Sequence, residues 1–277
     1  MFRLLNIEFH KLKHNKASKV LSIIYFGLIT ATALISAIKY SFGDFTFHFA
    51  DMGFYNFPYI WHFNTYIAAI LKFFLLLVIV SMMANEYSNK TLKQNLIDGL
   101  SKKEFILSKF YTVVVFAAIS TVFVFIVTLI LGAFFSDFNE ISIIFSELEY
   151  IFAFFIKLVG FFSFGLFLGI LVKRSAFAVG AMIVWFFIEL IAFGILGWKF
   201  VSWETAQAIK NFFPLESMAN LIKEPISRHK AVNSTIRTLG ETISKNYDVQ
   251  FTDILIVSAW TALFIYMSYA LLKKRDL

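Results

Sequence analysis

Apolar residues run through this chain in six long blocks, at roughly 20–40, 66–84, 108–135, 149–172, 176–198 and 252–272. A helix needs about 20 residues to cross a hydrocarbon core of ~30 Å. The pattern therefore predicts six membrane-spanning helices. The third should begin early, at Lys102, and project out of the membrane. The polar stretches between the blocks are patterned as well. Over 1–19, Phe2, Leu5, Phe9 and Leu12 fall at helical spacing, with Arg3, Lys11, Lys13, Lys16 and Lys19 between and after them. That spacing predicts an amphipathic helix lying at an anionic membrane surface. Ala31-Thr32-Ala33 has the small-x-small form of a signal-peptide cleavage site. The basic lead is too long and the apolar run too extended for a signal peptide. The 199–251 connection is punctuated by Pro214 and Pro225. It carries short helical patterns from Trp203 to Phe213 and from Leu215 to Lys223, then a stripe of Val232, Ile236, Leu239 and Ile243. It reads as an outer helical connection, either a lid or a packed surface loop.

The most structured polar stretch is 85–104. Leu92, Leu96 and Leu100 repeat at i, i+4 and i+8 with Ile97 alongside, while Lys90, Lys93, Gln94 and Asp98 take the other sides. This predicts an amphipathic helix of about ten residues. Ser88 or Asn89 can cap its start, and Gly99 stands where a left-handed residue would end it. Ser101 and Glu104 have the spacing of a capping box for the next helix. A helix this short is marginal in water. Its leucines need burial against the protein's own helix ends, the lipid interface or another protein.

Composition narrows the class. Of 277 residues, 59% are hydrophobic and 16% charged, and mean hydropathy is +0.75. That is too little polar surface for a water-soluble globule, so the fold class is all-α integral membrane. With no cysteine, disulfides, thiolate metal sites and thiol nucleophiles are excluded. The net charge of +7 would suggest nucleic acid in a soluble protein. Here the cations gather at span ends, where lipid headgroups lie, and no nucleic-acid partner is expected. The 1–19 and 85–109 stretches, the turn with Lys173 and Arg174, and the tail with Lys273, Lys274 and Arg275 are basic. The 41–65 and 136–148 connections have no Lys or Arg and carry Asp44, Asp51, Asp137, Glu140 and Glu147. Both termini are therefore expected in the cytoplasm. The 199–251 connection dissents with seven Lys and Arg, but long connections orient weakly. The histidines are scattered and no carboxylates pair, so neither a metal site nor a catalytic residue is expected. Aromatics at 42–63 read as an interfacial belt.

Three charges fall within spans: Lys72, Lys157 and Glu189. At 1.5 Å per residue they lie roughly 9–12 Å below the outer surface, in one layer. Unpaired ions there are costly. Glu189 is expected to pair with Lys72 or Lys157, as a structural ion pair or as a polar constriction on a transport path.

The order Glu86, Thr91, the leucine stripe, Gly99, Ser101, Lys102, Glu104 and Lys109, following a second span, resembles the membrane subunit of ABC-2 type transporters. So does the whole layout, from amphipathic lead through six spans to a short basic tail. The resemblance implies a permease of a bacterial inner membrane, acting in an exporter with a second, identical or related permease subunit and a separate ATPase. It implies that 85–104 is a coupling region docking on that ATPase through Leu92, Leu96, Ile97 and Leu100. Glu86 would anchor the helix to the second span, and Lys102 and Lys103 would face the ATPase or lipid. ATP and Mg²⁺ would be bound by the partner, since no phosphate loop occurs in the chain. Three other readings compete: a carrier that does not use ATP, a membrane anchor for a surface or motility machine, and a lipid-modifying enzyme. No proline interrupts a span and no polar cluster sits at one face, which disfavours the first and the last.

Overall fold

The computed structural model describes residues 2–36, 38–42, 45–229, 232–233 and 246–275. The amphipathic lead forms α1 (Phe2–His14). Asn15 breaks it and caps the next helix, its Oδ1 accepting from Ser18 N at 3.0 Å. The first span, α2 (Lys16–Ser36), thus starts four residues sooner than the apolar run suggests. A small antiparallel hairpin follows, β1 (Tyr40–Phe42) with β2 (Phe45–Phe47), which the sequence pattern does not predict.

The predicted 66–84 span is a broken one. Helix α3 (Tyr59–Leu71) and helix α4 (Phe73–Ser88) meet at Lys72 with a bend of 42°. After the short α5 (Thr91–Ile97) comes α6 (Lys102–Phe135), beginning at the predicted residue. Its 34 residues measure about 51 Å at 1.5 Å per residue, more than the ~30 Å core needs. Then follow α7 (Ile141–Ile144), α8 (Glu149–Val172) and α9 (Ser175–Ile195), which ends in a π-turn at Leu196–Phe200. The 199–251 connection holds α10 (Trp203–Lys210), α11 (Pro214–Asn220) and a 3-10 turn at Ile226–Arg228. The chain closes with α12 (Phe251–Lys274). Among the described residues, five helices are long and apolar enough to cross a membrane, six spans in all if the bent pair counts as one. Of the Val232–Ile243 stripe, Ile236, Leu239 and Ile243 lie outside the described residues, as do the last two residues of the tail.

Helix α8 is the centre. Its apolar residues are buried along almost the whole length, against α3, α4, α6, α9 and α12. Glycine permits this. A Cβ on Gly160 would stand 2.8 Å from Val257 Cγ1 of α12, and one on Gly165 would run into Leu76 Cδ1 of α4. Small residues are what let helix backbones approach this closely in a membrane. Helix α9 is the opposite case. Only Ala178, Met182 and Glu189 are buried, while Phe187, Ile188 and Ile191 point outward as a lipid-facing helix requires. A hydrogen bond of 2.5 Å between Tyr25 Oη and Ser120 Oγ ties α2 to α6 inside the bundle.

The two ends differ. At the end holding α7, α10 and α11, polar contacts strap the 199–251 connection down. Arg228 holds Glu147 in a fork, at 2.8 and 2.5 Å, and reaches Tyr150 Oη at 3.2 Å. Tyr59 Oη donates to Pro225 O, Trp61 Nε1 donates to Ile144 O, and Lys210 pairs with Glu216 at 2.8 Å. Arg228 and Lys210 are therefore neutralised locally. The opposite end holds α1, α5 and the tail.

Candidate coupling site

The backbone of 85–104 is set by local rules. Helix α5 starts after Lys90, which is left-handed at φ 55° and gives no side-chain cap. The expected Ser88 or Asn89 cap is absent. Instead Thr91 Oγ1 donates to Glu86 Oε2 at 2.6 Å, fastening the first residue of α5 to the last turn of α4. The helix is shorter than its pattern because Gly99, at φ 96°, closes it with a Schellman motif. Gly99 N bonds to Leu96 O at 3.2 Å and Leu100 N to Asn95 O at 3.0 Å. The capping box of α6 forms as the spacing predicts: Glu104 N donates to Ser101 Oγ at 3.2 Å and Ser101 N to Glu104 Oε2 at 3.0 Å. So α5 is held between two backbone stops, the left-handed residues Lys90 and Gly99.

Its faces are divided. Leu92 is buried, and Leu96 and Leu100 pack half-buried on the main core. Ile97 is 76% exposed, with Lys93, Gln94 and Asp98 around it. The leucines thus face the protein's own helix ends, one of the three options open for them. Ile97, expected to act with them, is alone on the outside.

Beneath α5 lies a buried charge network. Lys109 of α6 is fully closed to solvent and donates to Glu8 Oε2 at 2.5 Å and Glu86 Oε1 at 2.6 Å. Lys11 of α1 adds a third bond, to Glu86 Oε1 at 2.8 Å. Burial pulls the Lys11 ammonium down, but Glu86 and Glu8 overrule it and hold its pKa above the usual lysine range. Two carboxylates and two ammonium groups balance, so the network carries no net charge out of water. Glu86 joins four elements at once: its own α4, α1 through Lys11, α6 through Lys109 and α5 through Thr91. A family model for ABC-2 family transporter proteins matches residues 8–277.

The chain belongs to the ABC-2 transporter family. No individual curated protein matches the sequence. The match takes in every residue of the network described above, from Glu8 through Lys11 and Glu86 to Lys109.

The network also shows what residue-by-residue reading overlooked. Glu86 was expected as an anchor, but Glu8 and Lys109 were not expected as its partners. The signals were available: Glu8 is the only acid of the basic lead, and Lys109 sits in an otherwise apolar turn. Lys102 does not point away from the bundle. It donates to Arg275 O at 2.9 Å and Lys273 O at 3.4 Å, at the end of α12. Arg275 in turn caps α8, donating to Ile170 O at 2.6 Å and Leu171 O at 3.0 Å. Lys103 is exposed.

Lys72, Lys157 and Glu189 all line one cavity. The expected direct pair is replaced by an indirect one. Glu189 accepts from Trp185 Nε1 at 2.8 Å and from Leu215 N and Glu216 N at 3.0 and 3.2 Å, at the start of α11. Lys157 donates to Ala219 O and Ile222 O, both at 3.3 Å, at its end. The carboxylate and the ammonium thus face opposite poles of one short helix, each where the peptide dipoles favour its sign. Lys72 is separate. It donates to Ala69 O at 3.0 Å and lies 4.6 Å from the centre of the Phe161 ring.

Proposed function

We propose that this ABC-2 permease works in an ATP-driven exporter and takes its energy from a separate ATPase subunit docked on α5. The observation that carries the reading is the Glu86 network. A push on α5 reaches α4 through Thr91, and from there α6 through Lys109 and α1 through Lys11, because all three bond to the Glu86 carboxylate. The docking face is the exposed one, Lys93, Gln94, Ile97 and Asp98, with Lys90 and Lys103 beside it. A single apolar anchor in a mainly basic frame suits a groove with an apolar pocket and an acidic rim. Leu92, Leu96 and Leu100 act in the reading by setting the position of α5. ATP and Mg²⁺ belong to the partner. Two permease subunits, identical or related, and two ATPase subunits make the working assembly. Both termini face the cytoplasm of a bacterial cell, with the basic ends of the spans inside.

The test is co-purification with the ATPase after co-expression. Ile97→Asp with Lys93→Glu should reduce recovered ATPase by about tenfold or more at unchanged permease level. Full recovery would contradict the reading.

A further inference from the structure

The cavity among α3, α4, α8, α9 and α11 measures about 1110 Å³, at the upper end of the ~300–1,000 Å³ typical of small-molecule sites. One wall is apolar, with Tyr66, Phe161, Phe186 and Leu190. Two ammonium groups face it, Lys72 and Lys157. They are neighbours: Lys72 lies over Phe161, one helical turn along α8 from Lys157. Lys157 is only 4% exposed. Among the described residues neither lysine takes part in an ion pair, and each bonds only to backbone carbonyls.

The acids around the cavity are otherwise engaged. Glu189 holds the start of α11, Glu216 pairs with Lys210, and Glu224 accepts from Ser227 N and Oγ at 3.0 and 2.6 Å. Asp253 lies in the first turn of α12, where the helix dipole favours its charge. Formally the four lining acids balance the four lining lysines, Lys72, Lys157, Lys210 and Lys223, but among the described residues no carboxylate stands within ion-pair distance of Lys72 or Lys157. Two ammonium groups inside the spans that are held only by carbonyls offer an anion a counter-charge.

We infer that this cavity binds an anionic amphiphile, its acidic group between Lys72 and Lys157 and its apolar part along Tyr66, Phe161, Phe186 and Leu190. An apolar wall with two convergent ammonium groups matches that chemistry and rejects a neutral analogue, which would leave both cations unanswered. Binding in this way needs neither an ATPase nor a direction of transport. It stands apart from the reading of α5.

Two sources supply such a molecule: the bilayer, as an anionic phospholipid, or solution, as a soluble fatty acid. The test uses the full chain in nanodiscs of zwitterionic lipid. One arm adds a fluorescent phosphatidic acid with the matching diacylglycerol as the neutral control. The other adds a dansyl-labelled undecanoate with its methyl ester. In at least one arm the acid should bind tighter than its control by about tenfold or more, and that arm names the source. Lys72→Gln should remove the preference. This variant keeps a donor for Ala69 O and sits at the bend rather than in the packed core. Lys157→Gln should act likewise. Equal binding of acid and control in both arms, or a preference unchanged in both variants, would overturn the inference.

Discussion

Lys109 Nζ lies 2.6 Å from Glu86 Oε1, with both side chains closed to solvent, at the point where α1, α4, α5 and α6 meet. Removing one member of a buried network strands its partners. Lys109→Met leaves Glu8 and Glu86 facing each other without their shared cation, and should cost about 3–5 kcal/mol in unfolding. Glu8→Leu together with Lys109→Met leaves the Lys11–Glu86 pair intact and should restore much of that loss. Denaturant unfolding in detergent measures both. Losses that simply add would show that the network is not a unit.

The two faces of α5 should respond differently to the same charge. Leu92→Asp buries a carboxylate in the core and should destabilise by about 3 kcal/mol or more. Ile97→Asp should stay within about 0.5 kcal/mol, as an exposed change does. Thermal unfolding of the two variants side by side checks the assignment of faces.

Gly99 and Ser101 set the length of α5. Gly99→Ala forces a side chain into a left-handed conformation and should cost about 1–2 kcal/mol. Ser101→Ala should cost about 1 kcal/mol through loss of the cap. Hydrogen exchange should rise at the 98–105 junction in both variants and stay unchanged in α9.

His229 gives the connection between α9 and α12 a pH dependence. It stacks on Phe54 at 4.2 Å, and burial holds its pKa below the usual histidine range despite a backbone contact with Gly53 that opposes the shift. The folded state therefore favours the neutral ring. Its contribution is complete above the unfolded pKa of about 6.5 and declines as pH falls below it. Between pH 7.5 and pH 5.5 the thermal midpoint should fall less in His229→Phe than in the unaltered protein. Equal falls would remove His229 from the account.

Much of this was legible in the sequence. Span number, the start of α6 at Lys102, the Gly99 stop and the Ser101–Glu104 box follow from local chemistry, and local chemistry is written in adjacent residues. What was not legible required knowing which elements meet. The Glu8–Lys109 bond crosses a hundred positions of chain. Arg275 caps α8 only because α12 returns beside it. The leucine stripe was visible, but periodicity tells that a face is buried and not by what. The roles of Glu189 and Lys157 were hidden for a related reason. Their partners are the two ends of α11, a helix too short for its pattern to reveal its position. The hairpin at 40–47 lies in an aromatic run whose composition suits an interfacial belt equally well.

The central claim is that α5 meets an ATPase through its outward face while its leucines hold the permease together. A photo-crosslinking residue placed at 97 or at 92, in permease co-expressed with the ATPase, tests it most directly. The account predicts an ATPase adduct from position 97 and only intramolecular products from position 92. An adduct from 92, or none from 97 with the complex intact, would contradict it.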